Sequence, residues 1–216
     1  MSIPGTRRLD EVRGVVRSVE ELGFDAFWFG ESPTTREALV QAALLLEATE
    51  RITFATGITS IYTRDATALD AGAAALEEAF PDRFVVGLGV SHAPAVAGRG
   101  HDYGKPLAMM RAYLDALGER ERQHAVARPP RVLAALRPRM LELARDRASG
   151  AHPYLVPVEH TRRARETLGS GPVLAPEVTV LIADDPQRAL EQGAEDVRPF
   201  PKTTHHRRVQ DGEPHG

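Results

Sequence analysis

The 216-residue sequence has no cysteine and only one tryptophan. The missing thiols exclude disulfides, thiolate zinc sites and a cysteine nucleophile, and they fit a reducing, cytoplasmic setting. Long apolar runs are also missing. None approaches the roughly 20 residues that a membrane helix requires, and Met1–Asp10 carries two arginines but no apolar stretch of a secretion signal. Membrane insertion and secretion are therefore not expected. Nor is there an excess of positive charge: the formal net charge is -3, which argues against nucleic acid as a partner. No Walker loop and no Gly-x-Ser-x-Gly elbow occurs, so the phosphoryl-transfer and serine-hydrolase readings lack a starting point. Of the eight histidines, His205 and His206 are adjacent but lack a third ligand at ordered spacing, and no metal site is expected.

What is present is a repeating pattern. Hydrophobic residues make up 42% of the chain and charged residues 26%, enough to bury one substantial core. Val12, Val15, Val16, Val19 and Leu22 recur at helical spacing, with Asp10 as the expected N-cap and Gly23 as the stop. Ala26–Phe29 is a short apolar run without alternation, as expected of a parallel strand covered on both faces. Thr34 and Glu37 suggest a capping box opening a helix through Leu39 to Leu46. Further strands are expected at Ile52–Ala55, Phe84–Leu88, Arg131–Ala134, Ala151–Leu155 and Val178–Ile182. Helices are expected at Ala66–Phe80, Lys105–Leu117, Pro138–Arg147, Val158–Leu168 and from Asp185-Pro186 onward.

Such βα units imply a parallel sheet flanked by helices, either closed as a barrel or open and doubly wound. The absence of a Gly-x-Gly-x-x-Gly turn after the first strand favours the barrel. The expected fold class is α/β, a (β/α)8 TIM barrel that is incomplete, with about six of its units present. The expected domain covers residues 1–192 and lacks the first and last strands. Residues 193–216, rich in Pro, His and charge without periodicity, are expected to be a disordered tail. A barrel shortened in this way would leave unpaired strand edges at its seam.

In a barrel, residues at strand C-termini face the substrate. Here they include Phe29-Gly30-Glu31-Ser32, Ala55-Thr56-Gly57-Ile58, Gly87 to His92, Ala134 to Arg137, and Ala151-His152-Pro153-Tyr154. Read from chemistry alone, each has a plain alternative. Gly57 also reads as a plain strand end, Glu31 as a cap of the next helix or the partner of an arginine, His92 as a structural histidine, and Arg137 as a surface charge.

Four segments carry a family resemblance: Glu21 to Glu31 (ELGFDAFWFGE), Arg51 to Ile58 (RITFATGI), Arg83 to His92 (RFVVGLGVSH) and Pro138 to Ala144 (PRMLELA). Together they resemble the luciferase-like superfamily of flavin- and deazaflavin-dependent oxidoreductases, in its actinobacterial branch of probable coenzyme F420-dependent enzymes. The resemblance covers about Glu11 to Ala189. It implies hydride transfer between F420 and a small organic substrate, with FMN-dependent monooxygenation or a non-catalytic fragment as alternatives. It further implies catalytic roles for His92, as proton donor or acceptor, and for Glu31. Cofactor contacts are implied at Thr56, Gly57, Ile58, Ser91, Arg137, His152 and Tyr154, with a cis peptide at Gly57-Ile58. The acidic residue followed by His that relatives often carry is incomplete here, because Ser32 follows Glu31. The Gly-flanked loop Gly98–Gly104 suits a lid or a substrate-recognition loop. Relatives of this kind often form homodimers.

Overall fold

A computed structural model describes residues 7–180 together with 184, 185, 187, 188 and 191. The elements run α1 (Leu9–Glu21), β1 (Ala26–Phe29), α2 (Ala38–Leu46), β2 (Thr53–Thr56), β3 (Thr59–Ser60), α3 (Ala66–Ala79), β4 (Phe84–Gly89), α4 (Ala93–Ala97), α5 (Pro106–Gln123), β5 (Arg131–Leu133), α6 (Pro138–Arg147), β6 (Gly150–Ala151), α7 (Val158–Leu168) and β7 (Val173–Leu174). Every strand pairing is parallel, in the order β1-β2-β4-β5-β6-β7, with β3 also on β4. The order never reverses, so the sheet is not doubly wound. It curls into part of a TIM barrel with about six strand-helix units, and all its strand C-termini point to one rim.

Strand alternation explains the two layers. Phe27, Phe29, Phe54, Phe84, Val86 and Leu88 face outward into one cluster with Val16, Leu45, Leu69, Leu76, Met110, Leu114 and Leu141 of the helices. Trp28, of opposite parity in β1, faces the interior and stacks on His152, just beyond β6. That contact between non-neighbouring strands shows the curl directly. Close packing of β2 and β4 needs a glycine: a Cβ at Gly87 would lie 1.8 Å from the Thr56 carbonyl oxygen.

Several local expectations are corrected. The N-cap of α1 is Arg8, and Asp10 lies within the first turn. Leu22 does not join the core face and is 74% exposed. Glu37 itself caps α2, accepting from the Val40 N–H at 2.7 Å, so the Thr34–Glu37 box does not form. Asp65 caps α3 in the same way through the Ala68 N–H. The strand expected at Ala151–Leu155 ends at Ala151. Residues 178–180 carry no strand, and the β-pairing there is made instead by Val173–Leu174. Ile182 and the tail 193–216 fall outside the described residues, as does most of the helix expected from Asp185. Among the described residues, no helix is long and apolar enough to cross a membrane.

Candidate functional site

Glu31, Gly57, His92 and His152 all follow strand C-termini, so the parallel sheet carries them to the same rim. Neighbouring strand ends are also joined directly. The Gly57 N–H donates to Phe29 O at 2.7 Å and the Glu31 N–H to Ile58 O at 3.2 Å. A Cβ at Gly30 would sit 3.2 Å from Gly57 O. The Gly57-Ile58 peptide is cis, at the position the resemblance implied.

Glu31 turns away from solvent, its side chain only 4% exposed. Its carboxylate pairs with Arg64 and accepts from the Thr59 hydroxyl at 2.7 Å, the Thr63 hydroxyl at 2.9 Å and the Ser60 N–H at 3.2 Å. Burial works against its charge. Even so, the Arg64 guanidinium and the two hydroxyls hold the carboxyl below the ordinary carboxylate range. Arg64 also pairs with Glu37 at the start of α2. The group thus fastens the segment after β2 onto the end of β1.

Thr56 is fully buried, and its hydroxyl both donates to Gly87 O (2.9 Å) and accepts from the Gly87 N–H (2.8 Å). This places Thr56 behind the rim, clasping β2 to β4. Ile58 fills the space left by missing side chains on β4: a Cβ at Gly89 would meet its Cδ1 at 2.6 Å. His152 is buried, with Nδ1 2.7 Å from Ala175 O. Since a carbonyl can only accept, Nδ1 carries the proton in that bond. Burial lowers the pKa of the ring.

The other candidates ring the same end. His92 is exposed, in extended backbone at the N-cap of α4. Ser91 adopts φ 57°, and its carbonyl accepts from the Tyr103 hydroxyl at 3.1 Å. Tyr103 stacks on Tyr62, whose hydroxyl donates to Tyr103 O, so the loop Gly98–Gly104 is strapped across the residues after β3. Tyr154 is half-buried and bridges to Glu177; burial, then the Glu177 charge, raises its pKa to about 12. The phenol is therefore a neutral donor at pH 7. Arg137 is exposed at the N-cap of α6. Glu31, Thr56, Gly57, Ile58 and His152 form one cluster of direct contacts, while Ser91 and His92 follow β4, Arg137 precedes α6, and Tyr154 shares the segment after β6 with His152.

Sequence reading missed Arg64 and Trp28. The only signal for Trp28 was its parity within β1, opposite to that of its two phenylalanine neighbours. Arg64 gave none, being a lone cation in a loop. A cleft of about 800 Å³ opens at the opposite end of the sheet, between α5 and α6, lined in part by Asp115, Glu121, Arg131 and Arg147. Its arginines are already paired, Arg122 with Glu119, Arg131 with Glu121 and Arg147 with Asp115. It contains none of the strand-end residues, and the chemistry is better placed at the rim. Among the described residues, no group of three or more His, Asp or Glu could hold a metal ion.

The family model described as luciferase-like monooxygenase matches residues 1–215, and the chain belongs to this family of oxidoreductases. Solved structures share the fold at low identity. A coenzyme F420-dependent tetrahydromethanopterin reductase from Methanopyrus kandleri is 16% identical with a TM-score of 0.66, covering 78% of this chain and 58% of its own. An F420-dependent secondary alcohol dehydrogenase in complex with an F420-acetone adduct is 15% identical with a TM-score of 0.66, covering 77% and 60%. The oxygenating constituent of 3,6-diketocamphane monooxygenase from Pseudomonas putida, in complex with FMN, is 14% identical with a TM-score of 0.71, covering 97% and 76%. The chain spans less than two thirds of the length of the first two.

Proposed function

We propose that this luciferase-like family member is an F420-dependent oxidoreductase exchanging hydride with an alcohol, carbonyl or activated alkene at the barrel rim. The observation that carries this reading is the direct joining of two neighbouring strand ends at the rim, where the Gly57 N–H donates to Phe29 O at 2.7 Å and the Glu31 N–H to Ile58 O at 3.2 Å. Backbone joined in this way offers the Gly57-Ile58 peptide as a seat for a flat ring. Two structures of the same fold are named for F420.

Bound there, the deazaflavin would supply the hydride chemistry. This chain would orient the ring and manage protons. Gly57 and Ile58 form the seat, and Glu31 acts as a positioning residue through Arg64, Thr59 and Thr63. Thr56 supports the seat from behind. Tyr154, Ser91 and Arg137 offer hydroxyl and cationic partners for the phosphate-bearing part of the cofactor. His92, exposed at the rim, moves a proton to or from the substrate oxygen at its imidazole.

FMN-dependent monooxygenation is the second reading, favoured by the larger share of this chain that the FMN-bound structure matches. Titration with F420 and with FMN, followed by absorbance and fluorescence, separates the two. Saturable binding of F420 with no FMN binding is expected. The reverse selects the second reading, and binding of neither ring overturns both in favour of a non-catalytic role. With F420 bound, His92→Ala should lower turnover about 100-fold with little change in affinity. Equal loss of both would remove His92 from proton transfer.

A further inference from the structure

Three features of His152 stand together. Its backbone N–H donates to Leu133 O at 2.8 Å, and Nδ1 donates to Ala175 O at 2.7 Å, so the ring is tethered on two sides. One face stacks on Trp28, with centroids 4.5 Å apart and planes 18° apart. Its free edge points at Gly57, where a built Cβ would come within 2.8 Å of Nε2. This Nε2 is buried and, among the described residues, has no hydrogen-bond partner. The Glu177 carboxylate, at 3.7 Å, is too far for a hydrogen bond and pairs with the ring only if it is protonated.

As it stands, this nitrogen faces Gly57 and not solvent. The ring touches β1 through Trp28 and β2 through Gly57, and it is tied to the segment after β7 through Ala175. We propose that His152 is a positioning residue, a neutral imidazole strut across the barrel interior that sets the height of Gly57 and Ile58 on the rim. Through them it sets the seat of the cofactor ring, a step that rests on the function proposed above. The strut needs a flat ring reaching Gly57; the tether needs only a donor at the Nδ1 position. Asparagine supplies the donor without the reach, and phenylalanine the reach without the donor.

The experiment uses the whole chain in two arms. Without cofactor, Gly57→Ala and His152→Ala are combined in a double-mutant cycle read by thermal unfolding and by the emission of Trp28, the single tryptophan. Expected is strong coupling, because removing the ring makes room for the new methyl group, so His152→Ala largely cancels the effect of Gly57→Ala. Additive effects would overturn the strut. With F420 or FMN, whichever the wild type binds, His152→Asn should weaken affinity about tenfold or more, and His152→Phe less than about threefold. Equal losses would overturn the positioning role, because they would mean that a ring nitrogen meets the ligand or that affinity merely follows stability. If the wild type binds neither cofactor, the proposed function falls and the strut is judged by the first arm alone.

Discussion

Trp28 and His152 lie face to face, 4.5 Å between ring centroids, although β1 and β6 do not neighbour each other in the sheet. Burial lowers the pKa of His152, so the stacked ring resists protonation in the folded state. The unfolded chain takes up that proton near pH 6.5. Folding is therefore favoured fully above that pH, and the contribution is lost as pH falls from about 6.5 toward the lower folded value. Urea unfolding between pH 8 and pH 5 should show this loss, and His152→Asn should flatten it. An unchanged slope in the variant would assign the pH dependence to other groups.

Gly87→Ala should be among the most destabilising single substitutions. Its methyl group would meet backbone, the Thr56 carbonyl oxygen at 1.8 Å, which cannot rotate away. A loss of about 4 kcal/mol or failure to fold is expected, measured by urea denaturation or soluble yield. Gly14 gives the control, having nothing within 4 Å of a built Cβ. Alanine in that helical position should stabilise by about 0.5 kcal/mol.

Replacing Glu31 by Gln should cost about 3 kcal/mol, because it leaves Arg64, whose side chain is 9% exposed, without its buried carboxylate. The sign with pH follows from the lowered pKa of Glu31. Its contribution is complete above the unfolded value near 4.3 and disappears as pH falls through the lower folded value. Acid unfolding of the variant should lack that component. A variant as stable as the wild type at pH 7 would show that the ion pair contributes nothing net.

Thr56→Val keeps shape but removes both hydrogen bonds with Gly87. Because the site is fully buried, about 2 kcal/mol should be lost. Hydrogen exchange at the Gly87 amide gives the local measure: it should accelerate in the variant more than amides of α1 do.

Much of the barrel was legible because its signals are local. Ala26–Phe29, Phe84–Leu88 and Pro138–Arg147 each carry a pattern that burial later satisfies within a single element. Two-residue β3 and five-residue α4 are too short to leave any periodicity. The strand read at Val178–Ile182 is missing over its described residues, 178–180, for another reason. Val178 and Val180 alternate as a strand would, yet they are 63% and 76% exposed, while the pairing with Gly150–Ala151 falls to Val173–Leu174. Register is set by the neighbouring strand, which no local pattern records. The same limit holds at the rim. Strand ends located Glu31, Gly57, His92 and His152, but nothing near Glu31 in sequence announced Arg64, the partner that determines what its carboxylate can do.

The unbroken strand order also bears on how the chain assembles. Each unit docks on one already made, so the sheet can grow while the polypeptide is still leaving the ribosome. Trp28 is made early, and its stack on His152 forms only once the stretch carrying His152 emerges. Joining such distant segments is entropically slow. In refolding from urea, the circular dichroism of the helices should therefore recover ahead of tryptophan emission, making that one indole a clock for the last stage of closure.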